Sequence, residues 1–169
     1  QREFASIEHN LDVYSAFRLM AEITKDSNWQ SDAGWAKTFI DALFDDVRGC
    51  YLAGTNDFNN KNTYPFQLPV DVQAWAILSL GSEVASRIAT LLRCAETNHR
   101  VAEGGLVGFD FNNDRDGIWF EGSAHMALAY AGGGQSSSYD GMLSMLQAAQ
   151  LATNLGGGSG LPAASHDTV

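Results

Sequence analysis

Val70-Asp71-Val72-Gln73-Ala74-Trp75-Ala76-Ile77-Leu78-Ser79-Leu80 is apolar on nearly every side of a helix. The stretch Trp119-Phe120-Glu121-Gly122-Ser123-Ala124-His125-Met126-Ala127-Leu128-Ala129-Tyr130-Ala131 has the same character. A helix that is apolar all round is buried all round, whereas a helix with one apolar stripe faces solvent on the other side. The neighbouring segments are of the second kind. Residues 33–48 carry Trp35, Phe39, Ile40, Leu43, Phe44 and Val47 on one stripe, opposite Lys37, Asp41, Asp45 and Arg48. Residues 83–99 set Val84, Ile88, Leu91, Leu92 and Ala95 against Glu83, Arg87, Arg93 and Glu96. Residues 138–155 place Met142, Met145, Leu146, Ala149 and Ala152 together. Residues 7–24 show helical spacing through Ile7, Leu11, Tyr14, Phe17, Met20 and Ile23, and read as buried less strictly than 70–80. No β alternation of comparable length competes.

The alternation sits on a repeat. Asp-Phe-Asn-Asn occurs at 57–60 and again at 110–113, 53 residues apart. Glycine turns precede both copies, at Gly49-Cys50-Tyr51-Leu52 and Gly104-Gly105-Leu106-Val107, and a third follows at Gly158-Ser159-Gly160-Leu161-Pro162. Glycines 49, 105 and 160 are 56 and 55 residues apart, the length of two helices with their connectors. The expected fold is all-α: consecutive antiparallel helical hairpins with inner buried and outer amphipathic helices, forming part of an α/α toroid. The whole chain is expected to be one repeat domain, with units of about 1–56, 57–109 and 110–169. An ordinary helical bundle explains the helices but not the repeated turn and connector.

Composition narrows the function. The chain has 169 residues, 45% of them hydrophobic, enough for a packed core. No apolar run reaches the roughly 18 residues of a membrane span, so a soluble chain is expected. Ten Lys and Arg against 20 Asp and Glu give a net charge of −10, which disfavours nucleic acid and anionic membrane as partners. The acidity and the three lysines are compatible with an extracytoplasmic protein. Cys50 and Cys94 alone exclude a disulfide-rich scaffold and a four-cysteine zinc site, and their pairing is left open.

Each inner helix begins with acid: Glu8 and Asp12 in the first, Asp71 in the second, Glu121 in the third. Acids in a first turn favour the helix dipole by about 0.3–1 kcal/mol each, the purely structural reading. In concentric layers, however, the inner helices run parallel and their N-termini converge, so Glu8, Asp71 and Glu121 would ring one cavity mouth. Trp75, Trp119, Tyr14 and Tyr64 lie near them in sequence. Aromatic rings stack on the apolar faces of sugars, and paired carboxylates serve as general acid and as activator of water. The expected acid/base pair is Glu121 and Asp71. Glu8, Asp12, Trp75, Trp119, His125 and Tyr64 are expected to bind substrate, a glycan or oligosaccharide.

Three pieces carry a family resemblance: Ser6-Ile7-Glu8-His9-Asn10-Leu11-Asp12, Pro69-Val70-Asp71-Val72-Gln73-Ala74-Trp75 and Trp119-Phe120-Glu121-Gly122-Ser123-Ala124-His125. With hairpins of about fifty residues, they resemble the six-hairpin α/α-toroid superfamily of glycosidase-like proteins. The resemblance is one of pattern across most of the chain. It implies a cleft at the N-terminal ends of the inner helices and hydrolysis, epimerisation or lytic cleavage of glycans, with no cofactor. The same architecture serves terpene cyclases and prenyltransferase subunits, but the aspartate-rich cyclase motif is absent from this sequence. Three hairpins are present where a closed toroid needs about six. The expectation is an incomplete, roughly half domain that self-associates or lacks a companion segment. The alternative functions are a non-catalytic helical-repeat module binding glycan or protein, and an inactive fragment of a larger toroid enzyme.

Asp110, Asn112, Asp114, Asp116 and Glu121 fall at positions one, three, five, seven and twelve of a calcium-loop count, but Arg115 takes the sixth place where a sharp turn wants glycine. This is a weak calcium candidate, and no other metal site is expected. His9, His99, His125 and His166 have no metal-ligand spacing; His9 and His125 lie near the inner-helix acids. No GxSxG, P-loop, HExxH or dinucleotide fingerprint is present.

Overall fold

The computed structural model describes residues 4–57, 60–61, 68–152, 154–155 and 157–166. Tyr64, and Phe58 and Asn59 of the first Asp-Phe-Asn-Asn, lie outside the described residues. The chain is mostly α-helical. Among the described residues there are six α-helices: α1 (Ile7–Thr24), α2 (Ser27–Ala42), α3 (Val70–Leu80), α4 (Ile88–His99), α5 (Phe120–Gly132) and α6 (Ser136–Leu151). The strands are short: β1 (Ala5–Ser6), β2 (Phe44–Asp45), β3 (Cys50–Tyr51), β4 (Gly54–Asp57), β5 (Asn60–Lys61), β6 (Arg100–Glu103) and β7 (Leu106–Phe109). They pair antiparallel as β1-β4-β5, β2-β3 and β6-β7.

The odd-numbered helices form a row, α3 packing against α1 on one side and α5 on the other, while each packs against the helix that follows it. Position in the row explains burial. Central α3 buries Val70, Asp71, Val72, Gln73, Ala74, Ala76, Ile77 and Leu80, and α5 buries Phe120, Gly122, Ser123, Met126, Ala127, Ala129 and Tyr130. Terminal α1 buries only Ile7, Leu11 and Tyr14. Its Leu19 and Ile23 are more than half exposed, because no helix covers that side among the described residues.

The second helix differs from the 33–48 expectation. The Asp26 carboxylate accepts the Asn28 N–H at 2.9 Å and starts α2 at Ser27, in a first turn too polar to show an apolar stripe. Past Ala42 the apolar pattern runs on in sequence, but Phe44-Asp45 leaves the helix to pair with Cys50-Tyr51 around Gly49, whose φ is +69°. Trp35 and Val47, expected on the buried stripe, are 74% and 96% exposed. The fourth helix is likewise shorter than 83–99, since Gly81–Val84 forms a 3-10 turn before Ile88.

The first two glycine turns of the sequence repeat are the tips of strand pairs, β2-β3 and β6-β7, whereas the third, at 158–162, joins no strand pair among the described residues. Gly104 (φ +59°) and Gly105 (φ +81°) make a two-residue turn between Glu103 and Leu106, which suits a right-twisted hairpin. The connectors they begin cap the row of helices. None of the N-cap residues Ser6, Pro69 and Trp119 caps with its side chain. Instead the first N–H of α1 donates to the Ala53 carbonyl (3.0 Å), that of α3 to Phe111 (2.9 Å) and that of α5 to Ala163 (2.9 Å). Three otherwise orphaned amides are thus satisfied in the same way by three equivalent connectors.

Each of the first two connectors also grips the next helix. Buried Gln73, the fourth residue of α3, takes the Tyr51 N–H on Oε1 and gives Nε2–H to the Tyr51 carbonyl, both at 2.9 Å. Ser123, the fourth residue of α5, accepts the Phe109 N–H at 2.9 Å. A Cys50–Cys94 disulfide, with Cα atoms 5.6 Å apart, fastens the first connector to α4.

Candidate acidic site at the helix N-termini

Glu8, Asp71 and Glu121 are each the second residue of their helix. The shared connector geometry brings them within electrostatic reach of one another. The Asp71 carboxyl is buried and pushed up to about 6, first by burial, then by the negative charges of Glu8 and Glu121. Its Oδ1 accepts the Val72 N–H at 2.8 Å, which favours the charged form without reversing the balance. Glu8 is half-buried and Glu121 exposed, so Asp71 is the recessed member of an otherwise open trio.

An aromatic wall adjoins it. His125, one turn beyond Glu121, packs against Trp75 of α3 (ring centroids 5.0 Å) and Trp119 (6.0 Å, edge-on). Trp119 in turn meets Phe111 edge-to-face at 5.1 Å. Burial pushes the His125 imidazole down while Glu121 and Glu8 pull it up, and its buried Nδ1 has no hydrogen-bond partner among the described residues. Gly122 makes room for the wall: a Cβ there would lie 2.2 Å from the Trp119 ring and 2.9 Å from Val70 Cγ1.

Of the expected site residues, Glu8, Asp71, Glu121, Trp75, Trp119 and His125 come together. Asp12 is exposed one turn further along α1, and Tyr64 lies outside the described residues. Tyr14 serves elsewhere: its hydroxyl donates to Glu83, and burial with that carboxylate pushes it up to about 12. His9 is exposed. His99 is buried, its Nδ1 2.9 Å from the Asn112 carbonyl and its pKa pushed down to about 4 by desolvation, as suits a neutral structural histidine.

Sequence reading missed Phe111, whose partner Trp119 is eight positions away, and Gln73, whose only signal was a polar residue inside an otherwise apolar helix. Such a residue must be hydrogen-bonded, and Gln73 is. Among the described residues, Glu121 leaves the trio open to solvent on its side. A cleft of about 610 Å³ runs instead between α1 and α2, lined by Val13, Phe17, Trp35 and Phe39. No helix among the described residues is long and apolar enough to cross a membrane. No family model matches the chain, and no curated protein matches it either.

Proposed function

We propose that the chain is a carbohydrate-active, glycosidase-like protein that cleaves a glycan at the N-terminal ends of α1, α3 and α5, and that these helices are the inner layer of part of an α/α toroid. The observation that carries the reading is the raised Asp71 carboxyl between Glu8 and Glu121, flanked by the Trp75–His125–Trp119 wall. A carboxyl with a pKa of about 6 is still partly protonated near neutrality. Asp71 is therefore the general acid, giving its proton to the glycosidic oxygen as the bond to the anomeric carbon breaks. Glu121 is the second carboxylate, and its separation from Asp71 selects inversion or retention. Glu8 holds the Asp71 proton in place by repulsion. Trp75 and Trp119 stack on sugar faces, and His125, packed against both indoles, holds them in place for the substrate.

A second reading is a non-catalytic glycan-binding module. It is favoured by the Asp71–Val72 bond, which is also what a structural first-turn acid makes. Tryptophan fluorescence titrated with oligosaccharides addresses what both readings share. Saturable quenching that Trp75→Ala and Trp119→Ala abolish supports a glycan site. A wild-type signal indifferent to every glycan removes both.

The toroid reading also implies a covering for the row's two ends. We propose a second copy of the chain as the occupant. On this reading the α1/α2 flank (Val13, Phe17, Trp35, Phe39) and the α6 flank (Leu143, Leu146, Leu161), which no helix covers among the described residues, are complementary halves of the kind of contact made at α1–α3 and α3–α5.

A further inference from the structure

Asp110 is fully buried, yet its carboxylate Oδ1 has no hydrogen-bond partner among the described residues. The other oxygen accepts the Asp116 N–H at 2.8 Å. The loop folds back so that oxygens of Asp110, Asp114 and Asp116 all lie within 4.8 Å of one another. Among the described residues, no lysine or arginine pairs with any of the three. Converging carboxylates repel, and a buried carboxylate with an orphaned oxygen calls for a proton or a cation.

We propose that Asp110, Asp114 and Asp116 bind a hard divalent cation, calcium foremost, with water completing the coordination shell. Oxygen donors in an irregular loop suit calcium's flexible coordination of six to eight ligands. The ligand set differs from the count in the sequence. Asn112 Oδ1 is turned inward to the Asp114 N–H (2.8 Å), and Glu121 is not among the clustered oxygens. Arg115, in the place where glycine was wanted, does adopt the left-handed conformation, with φ +58°. With three protein carboxylates, affinity in the range of about 10⁻⁴–10⁻³ M is expected. The same loop carries Phe111, whose carbonyl caps α3 and whose ring backs Trp119, so the cation would stiffen the aromatic wall. The inference does not depend on the glycan reading.

Terbium is the probe, since Trp119 next to the loop can sensitise its emission. The chain, stripped with chelator, is titrated with terbium and back-titrated with calcium. Expected are saturable emission, displacement by calcium, and a melting temperature about 3–11 °C higher in 10 mM calcium than in chelator. Asp114→Asn combined with Asp116→Asn, both at exposed positions, should weaken terbium at least tenfold while leaving the melting temperature in chelator no lower than that of wild type, because the mutual repulsion of the carboxylates is relieved. Absence of saturable emission from folded wild type, or emission that the double variant retains undiminished, overturns the proposal.

Discussion

Asp71 and Glu121 hold the same place, the second residue, in two neighbouring helices, and the charge on Glu121 helps raise the Asp71 carboxyl. The equivalence follows from the capping of α3 by Phe111 and of α5 by Ala163, which start both helices against matching connectors. A repeated backbone device thus becomes a cluster of acids.

The raised Asp71 carboxyl links stability to pH. Its folded pKa of about 6 lies above the unfolded 3.8, so the folded state binds the proton more tightly. The cost of the buried charge is absent below pH 3.8, grows as pH rises and is complete above about pH 6. Asp71→Asn removes it. The variant should be more stable than wild type by about 1–3 kcal/mol at pH 8, with the gap closing towards pH 4. Urea unfolding at the two pH values checks this, and a gap that widens on acidification has the wrong sign.

Gln73→Ala leaves both Tyr51 backbone groups unpaired in a buried place, whereas Ser123→Ala leaves one, the Phe109 N–H. At about 1–3 kcal/mol per orphaned group, Gln73→Ala should cost roughly twice as much. Equilibrium denaturation of the two variants gives the comparison directly.

Reducing the Cys50–Cys94 disulfide frees a 44-residue loop and should cost about 2–4 kcal/mol. Melting temperatures with and without reductant measure it, with Cys50→Ala/Cys94→Ala as the irreversible counterpart.

Three helical glycines should respond differently to alanine. Gly34 and Gly141 have open space around the missing Cβ, so Gly→Ala should stabilise by about 0.5–1 kcal/mol each. Gly122→Ala meets the Trp119 ring and should destabilise by about 1–3 kcal/mol despite the same gain in helix propensity. Near-ultraviolet circular dichroism should register the displaced indole in that variant alone.

Much of this was legible in the sequence, for identifiable reasons. The bounds of α3 read correctly because Pro69 and Gly81 bracket a mostly apolar run, and the acids of the three inner helices were legible as first-turn residues. The strand pairs were not legible, since two to four residues cannot show alternation, and Leu43-Phe44 therefore passed for helix. Trp35 was misread for a related reason: its helical spacing is right, but nothing among the described residues covers that flank. The aromatic wall needed three dimensions, because Trp75 and His125 lie 50 positions apart.

The exposed flanks give an assembly test. Light scattering over a concentration series should show a dimer, weakened by Trp35→Glu. A wild type that stays monomeric at high concentration contradicts the second copy as occupant.

The most direct test of the central claim is sugar release from a panel of oligosaccharides by wild type and Glu121→Gln. The account predicts turnover by wild type that falls above about pH 6 as Asp71 loses its proton, and at least a hundredfold loss in Glu121→Gln with an unchanged melting temperature. No turnover of any glycan by folded wild type, or full turnover by Glu121→Gln, would contradict it.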